Sequence, residues 1–298
     1  MKIGTRGSQL ARWQAEWVRG RLAEHGVRAE LVVIKTQGDA EIDRPLHELE
    51  GTGFFTKEIE DALLDGRIDV AVHSLKDLPT ELPPGLGLGA IPPRHDPREA
   101  LVNGKSLQTL PQGTRVGTSS LRRVAQVRFL RPDLEVVPLR GNVPTRIRKV
   151  EGREGLDAAL LAIAGLERLG LGGKGALLDP FDVMPAPGQG ALGIEIRADD
   201  HATRKALEPL HDRDSAAAVT AERALLAALG GGCQAPVAAY VGSREPGAGS
   251  RLYGRVTDRD GAVQLTASAE LDFKKPEAAG EAVARLLEGE GAASLLAR

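Results

Sequence analysis

Apolar residues recur along the first ninety positions with two alternating spacings, one typical of short strands and one typical of helices. Ser8 is a favourable helix N-cap, and Gly26 provides a stop after apolar residues at helical spacing. The predicted elements are a strand at 2–6, a helix between Ser8 and Gly26, a strand at 30–36, a helix capped by Thr56 that runs to Asp65, and a strand at 68–73. Strands that alternate with helices in this way predict a parallel α/β arrangement.

Two proline-rich segments, 91–97 and 184–190, flank a second α/β run with predicted strands at 114–117 and 134–139. Such segments are typical of crossings between lobes. If the predicted strand 191–197 returns to the first run, the chain forms two α/β lobes joined by paired connectors. That arrangement leaves a ligand cleft between the lobes.

The pattern changes after about residue 212. The predicted elements there are a helix from Ser215 to Leu229, strands at 237–241, 251–257 and 263–271, and a helix that begins after Pro276. These elements predict a small α+β domain at the end of an otherwise α/β chain.

Composition narrows the class of protein. Hydrophobic residues make up 42% and charged residues 27% of the chain, which is typical of a folded globular protein. The longest apolar runs, such as 158–164, fall short of the roughly 18 residues that a membrane-spanning helix needs, and Met1 is not followed by an apolar signal segment. We therefore expect a cytoplasmic protein. A single cysteine, Cys233, excludes an internal disulfide, and the six histidines show no metal-ligand spacing, so we expect no metal.

Basic residues are concentrated in one part of the chain. The stretch 115–153 carries ten Lys or Arg and three acidic residues. A site for a polyanionic ligand and a solvated, arginine-rich helix face both fit this count. Nucleic acid is a weaker interpretation, because Phe129 is the one aromatic residue in the basic stretch.

The segment 117–131 predicts a strand end, a Ser119 or Ser120 helix cap, and two arginines in the first helical turn. Free N–H groups and the helix dipole at such a start favour an anion. Arg122 and Arg123 are unfavourable to the helix itself, so either a bound anion or solvent accommodates their charge. Arg140 and Arg146 flank another turn that could add a second carboxylate clamp.

Two further residues are candidates for chemistry. Asp77 lies beside Lys76 at a strand end and before Pro79, where either a structural ion pair or a reacting carboxylate fits. Cys233 follows three glycines, which permit close approach by a large group. A covalent attachment point and a small buried side chain both fit this cysteine.

Together these segments resemble the porphobilinogen deaminase family, in family order and over about residues 2–240. The matching motifs are Thr5-Arg6-Gly7-Ser8, Val72-His73-Ser74-Leu75-Lys76-Asp77-Leu78-Pro79, Gly117-Thr118-Ser119-Ser120-Leu121-Arg122-Arg123, Leu139-Arg140-Gly141-Asn142-Val143, Pro187-Gly188-Gln189-Gly190 and Gly231-Gly232-Cys233-Gln234.

The resemblance implies an α/β fold class with two binding-protein-like lobes and a small α+β C-terminal domain. The implied domains are 1–92 with 190–209, 97–185, and 213–298. It also implies a dipyrromethane cofactor covalently attached to Cys233 through a thioether. Four porphobilinogen molecules are then joined head to tail with loss of ammonia, and hydroxymethylbilane is released. The expected chain is a monomer with a small-molecule substrate and no nucleic acid, membrane or metal partner.

Site roles follow from the same resemblance. Asp77 is the implied catalytic residue, because a fixed carboxylate can stabilise the electron-poor cation left by deamination and can relay protons. Arginine forks suit the acetate and propionate groups of the pyrrole rings. The implied cofactor- and substrate-binding residues are Arg6, Ser8, Lys57, His73, Ser74, Lys76, Thr118, Ser119, Ser120, Arg122, Arg123, Arg140, Gly141, Asn142, Arg146, Arg168, Gln189 and Gly190.

The sequence leaves one alternative function open. A non-catalytic two-lobed anion binder would share the basic cleft but would not need Cys233 or a third domain.

The segment 37–53 is expected to form a lid, in which Thr52 stands where many relatives carry lysine. Growth of the pyrrole chain requires either that the cleft expands or that the chain slides past Asp77.

Overall fold

The computed structural model describes residues 1–36, 56–231, 235–244 and 249–297. In these ranges the strands are β1 (Lys2–Thr5), β2 (Glu30–Val33), β3 (Val70–Ser74), β4 (Leu86–Ala90), β5 (Glu99–Val102), β6 (Arg115–Gly117), β7 (Glu135–Val137), β8 (Ala158–Ala162), β9 (Gly175–Leu177), β10 (Leu192–Arg197), β11 (Val237–Gly242), β12 (Arg251–Thr257) and β13 (Gln264–Glu270). The α-helices are α1 (Gln9–Glu24), α2 (Lys57–Leu64), α3 (Leu121–Leu130), α4 (Val143–Glu151), α5 (Ile163–Arg168), α6 (His201–Leu207), α7 (Arg213–Ala228), α8 (Pro276–Gly289) and α9 (Ala292–Leu296). The chain divides into two compact units, which we call unit 1 (Met1–His95 with Gly190–Ala216) and unit 2 (Asp96–Gln189 with Ala217–Arg298).

The sheet of unit 1 has the strand order β2-β1-β3-β10-β4. Strand β1 pairs in parallel with β2 and β3, as the alternating pattern predicts. Strand β10 pairs antiparallel with both β3 and β4. The predicted return of this strand to the first run is confirmed, and its antiparallel pairing makes the sheet mixed.

Helix α1 follows from its sequence. Its N-cap Ser8 accepts a hydrogen bond from the Ala11 amide at 3.3 Å, as predicted. The apolar side chains at helical spacing, including Val18 and Leu22, are fully buried against the sheet. Thr56 differs from the prediction, since it stands at the start of α2 but its side chain makes no capping hydrogen bond.

The larger sheet of unit 2 has the order β7-β6-β8-β5-β9. Strand β6 pairs in parallel with β7 and β8, whereas β5 pairs antiparallel with β8 and β9. Its core includes Leu101, Val116 and Leu160, which are all fully buried. This sheet is therefore also mixed.

Strands β11, β12 and β13 form a separate three-stranded antiparallel sheet within unit 2, with helix α8 packed on it. A Cβ atom at Gly280 of α8 would lie 2.6 Å from the Ala221 carbonyl oxygen of α7, so the two helices approach closely only because this residue is glycine. The α/β fold class with a small α+β segment is therefore confirmed. Among the helices described, none combines the length and hydropathy required to cross a bilayer.

Candidate functional site

The predicted anion site lies at the start of α3, where β6 and β7 end side by side. The Ser119 hydroxyl donates to the Leu139 carbonyl and accepts from the Leu139 amide, each at 3.0 Å, so it joins the two strand ends. Ser120 is the N-cap residue, but its side chain makes no capping bond. Ser120 therefore occupies the predicted N-cap position but does not bond the first turn through its hydroxyl, which leaves the helix start suited to an anion.

Arg122 and Arg123 are buried and face the interior of unit 2, each about 5% exposed. The Arg122 Nη2 donates to Glu99 Oε1 at 2.6 Å, and the Arg123 Nη2 donates to Glu99 Oε2 at 2.7 Å. A solvated helix face is thus excluded for these two arginines. Their counter-charge is a protein carboxylate, shared between them.

The arginine pair holds more positive charge than Glu99 neutralises. One carboxylate faces two guanidinium groups, and the buried Arg123 Nε has no hydrogen-bond partner. Burial lowers the pKa of Arg122, the charge of Glu99 opposes that shift, and the charge of Arg123 adds to it. A buried donor without an acceptor, beside an excess charge, fits a negatively charged ligand group.

The turn between β7 and α4 contributes the second predicted clamp. Asn142 caps α4 by accepting from the Thr145 amide at 3.0 Å, and Gly141 has a φ of 107°. The Arg146 Nε donates to the Gly141 carbonyl at 2.7 Å, so this arginine fastens the turn. Arg140 is half-buried where the turn begins.

Three more predicted residues of unit 2 are buried. Arg168 ends α5, and burial lowers its pKa to about 10 while the charge of Glu167 raises it. The fully buried Gln189 donates from Nε2 to the Pro97 carbonyl at 2.7 Å, and the predicted site residue Thr118 is buried at the end of β6. In the described ranges no group of three or more His, Cys, Asp or Glu side chains could hold a metal ion.

In unit 1, the predicted catalytic segment follows β3 directly. Residues Leu75–Asp77 form a single 3-10 turn, fixed by a hydrogen bond of 3.0 Å from the Leu75 amide to the Ala191 carbonyl. Asp77 is exposed, Lys76 is half-buried, and Ser74 accepts from Gln14 Nε2 at 2.8 Å. The exposed carboxylate is therefore carried on a short, anchored turn.

His73 differs from the other predicted residues of this segment because it faces the core. Its Nε2 lies 3.1 Å from Oε2 of Glu195, and both side chains are buried. Glu60 of α2 is buried nearby, and its pKa is raised by burial and by the charge of Glu195, against a hydrogen bond from Thr56. In the sequence, the signal for Glu99 and Glu195 is an acidic residue within an otherwise apolar strand.

The remaining predicted residues of unit 1 lie near strand and helix starts. Arg6 is half-buried directly after β1, Ser8 caps α1, and Lys57 is exposed as the first residue of α2. Gly190 accepts at its carbonyl from the His95 amide at 3.2 Å. Cys233, and the lid with Thr52 predicted at 37–53, lie outside the described residues.

Mixed α/β sheets, a buried arginine pair and an anchored carboxylate turn define an α/β protein with a candidate site for anions. The family described as "Porphobilinogen deaminase, dipyromethane cofactor binding domain" matches residues 1–205, and "Porphobilinogen deaminase, C-terminal domain" matches residues 216–289. The chain belongs to the porphobilinogen deaminase family, whose members use a dipyrromethane cofactor, as its sequence motifs predict.

Curated relatives agree with this membership. The chain is 50% identical to the porphobilinogen deaminase of Syntrophotalea carbinolica, over 100% of this chain and 95% of the relative. It is 50% identical to that of Moorella thermoacetica, over 99% of this chain and 95% of the relative. Among solved structures, the methionine-binding protein MetQ is 14% identical with a TM-score of 0.43, over 72% of this chain and 91% of that one.

Proposed function

We propose that this chain joins four porphobilinogen molecules head to tail, with release of ammonia, onto a dipyrromethane primer and releases hydroxymethylbilane. The observation that carries the proposal is the match to both family domains, which together extend from residue 1 to residue 289 with a short gap. The arginine pair of unit 2 supports it, because acetate and propionate groups on each pyrrole ring require cationic partners.

The dipyrromethane, when bound, supplies the primer to which new rings are added. We propose that the Cys233 sulfur holds it through a thioether. Binding of its carboxylates is assigned to the arginines Arg6, Arg122, Arg123, Arg140, Arg146 and Arg168, and polar contacts to Ser8, Lys57, His73, Ser74, Lys76, Thr118, Ser119, Ser120, Gly141, Asn142, Gln189 and Gly190. The unpartnered Arg123 Nε and the uncapped start of α3 fit such a ligand.

Asp77 is proposed to act at the reacting ring. A carboxylate oxygen of Asp77 accepts a hydrogen bond from a pyrrole N–H and stabilises the positive charge that develops when ammonia leaves. The same carboxylate can move a proton toward the departing amine and later take one from the ring carbon. Its exposure and its anchored 3-10 turn support both roles.

The proposal includes three domains, at 1–92 with 190–209, 97–185, and 213–298. It also includes a monomeric chain that acts in the cytoplasm on a small molecule, without nucleic acid or membrane.

The covalent primer is tested by the intact mass of the purified protein. Chains produced in cells that make porphobilinogen should weigh more than the translated sequence by one dipyrromethane, and Cys233→Ser should abolish the increment because it removes the only thiol. Ehrlich's aldehyde reagent should colour the native form alone. A native chain with the unmodified mass would contradict the proposed function and would favour a non-catalytic anion binder.

The role of Asp77 is tested by Asp77→Asn, which keeps the shape but removes the charge. We expect kcat to fall by about 100-fold or more, because charge stabilisation and proton transfer are both lost. Asp65→Asn, at an exposed carboxylate that pairs with Arg67 in the same unit, provides the control and should leave kcat unchanged. Near-normal turnover by a folded Asp77→Asn protein would refute the role.

A further inference from the structure

Glu99 is a buried carboxylate that is not among the predicted site residues. It lies in β5 with no exposed surface, and its two oxygens contact two different guanidinium groups. The contacts to Arg122 and Arg123, at 2.6 and 2.7 Å, are in the range of strong charge-assisted hydrogen bonds.

The position of the two arginines is electrostatically unfavourable without a counter-charge. They are adjacent in the first turn of α3, where the helix dipole disfavours positive charge, and their own charges repel. Burial of an ion without a counter-charge is strongly unfavourable. Glu99 is the carboxylate that the structure pairs with both.

Main-chain carbonyls complete the support of each guanidinium group. The Arg122 Nη1 donates to the Met184 carbonyl at 2.5 Å, and the Arg123 Nη1 donates to the Leu160 carbonyl at 3.0 Å. Each planar group is therefore held at one nitrogen by the backbone and at another by Glu99. Loss of Glu99 would leave one fixed point on each arginine.

We propose that Glu99 is a positioning residue for ligand binding: its carboxylate holds Arg122 and Arg123 side by side and leaves the pair with one excess positive charge for a ligand carboxylate. The inference deepens the proposed function, on which it depends for the ligand, a pyrrole chain with carboxylate arms. Glu99 itself acts through the arginines and does not touch the reacting atoms.

Glu99→Gln tests this role because it keeps the size of the side chain and removes its charge. An amide offers one acceptor oxygen and one donor nitrogen, so it can satisfy one arginine and must oppose the other. We expect the KM for porphobilinogen to rise about tenfold, corresponding to one lost charge-assisted contact, and kcat per loaded chain to change by less than about threefold. The fraction of chains that carry dipyrromethane by intact mass should fall.

Glu99→Asp restores the charge on a shorter side chain, and we expect its KM to rise only about threefold. Asp200→Asn serves as the matched control, since it breaks the 2.9 Å ion pair with Arg197 and a helix cap without touching a predicted site residue. It should lower the melting temperature and leave KM and loading unchanged. An effect on KM and loading in the Glu99 variants alone would therefore reflect the position of the arginines and not a general loss of stability.

The results distinguish the proposals. A folded Glu99→Gln protein with wild-type KM and loading would overturn the role of Glu99. If Glu99→Gln yields no folded protein, wild-type KM and loading in Glu99→Asp would overturn it, because charge neutralisation alone would then suffice. A wild-type chain without dipyrromethane would instead contradict the proposed function.

Discussion

Buried charged side chains form ion pairs in both units. In unit 2, Glu99 is shared by two arginines, and in unit 1, Glu195 contacts His73 in the strand that precedes the turn with Asp77. Carboxylates without exposure are costly unless they are paired, so each is retained with a partner. Glu60 is buried as well, and its Oε1, like Oε1 of Glu195, has no hydrogen-bond partner.

Glu60 should make stability depend on pH with a definite sign. Its pKa in the folded chain is raised, chiefly by burial, so the folded state binds the proton more tightly than the unfolded state. The free energy of unfolding should therefore fall as the pH rises from the pKa of Glu60 in the unfolded chain to its pKa in the folded chain. Above both pKa values the loss of stability is complete. Glu60→Gln should raise the melting temperature by a few degrees at pH 8 and by progressively less toward pH 4.5, measured by circular dichroism.

Asp61→Asn on the same helix controls for the altered helix charge, because Asp61 is exposed. The charged neighbours of Glu60, His73 and Glu195, are unchanged in both variants. A melting-temperature difference for Glu60→Gln that stays constant between pH 4.5 and pH 8 would show that the buried carboxyl is not the cause.

The helices and strands show what a sequence pattern can reach. The β12 strand lies at the predicted 251–257, and α1 begins after the predicted cap, because alternation and capping are local properties. The antiparallel entry of β10 and β5 could not be predicted, since strand direction depends on contacts between residues distant in the chain.

The sequence predicts which residues form the candidate site better than it predicts what surrounds them. The motif around Arg122 and Arg123 indicates anion binding, but its burial depends on Glu99, which is more than 20 positions away along the chain. Likewise, Ser119 is chemically a good cap, yet its hydroxyl bonds Leu139 because β7 ends beside β6. Local sequence therefore identified the donors, and tertiary contacts decided their partners.

At the scale of the whole chain, unit 2 is built from two separated segments. Arg255 of β12 donates to the Gln126 side chain at 2.8 Å and to the Phe181 and Asp182 carbonyls at 2.8 and 3.0 Å. Phe181 also packs edge-on against Tyr253, with ring centroids 4.9 Å apart. The C-terminal sheet is thus joined to the segment after β9 and to the helix that carries the arginine pair.

Gln126 connects these contacts to the anion site. Its amide nitrogen donates to the Met184 carbonyl at 3.0 Å, the same carbonyl that accepts from Arg122, and its oxygen accepts from Arg255. A chain of hydrogen bonds therefore runs from Glu99 through Arg122 and Gln126 to β12. In the sequence, Cys233 lies between α7 and β11. The same contacts link the C-terminal sheet, which begins at β11, to the arginine pair.

Replacement of Arg255 should loosen the C-terminal sheet. Burial lowers the pKa of Arg255 to about 10, so the group is still charged at neutral pH, and it is held by four acceptors, which include Thr266 Oγ1 at 3.3 Å. Arg255→Met keeps much of the volume but leaves these four acceptors without this donor. We expect the free energy of unfolding of unit 2 to fall by about 3 kcal/mol, measured by calorimetry. We also expect a second, lower-temperature transition for the C-terminal sheet.

Arg251→Met is the matched control, because Arg251 lies in the same strand but contacts only Ser268 and Glu270 of the neighbouring strand among the contacts described, and is about one-third exposed. Arg251→Met should lower the free energy of unfolding by less than about 0.5 kcal/mol and leave a single unfolding transition for unit 2. Equal effects of the two substitutions would mean that strand propensity, rather than the buried link through Gln126, holds the segments together. If Arg255→Met alone separates the transitions and also lowers dipyrromethane loading, the C-terminal sheet and the arginine pair hold the primer as one body.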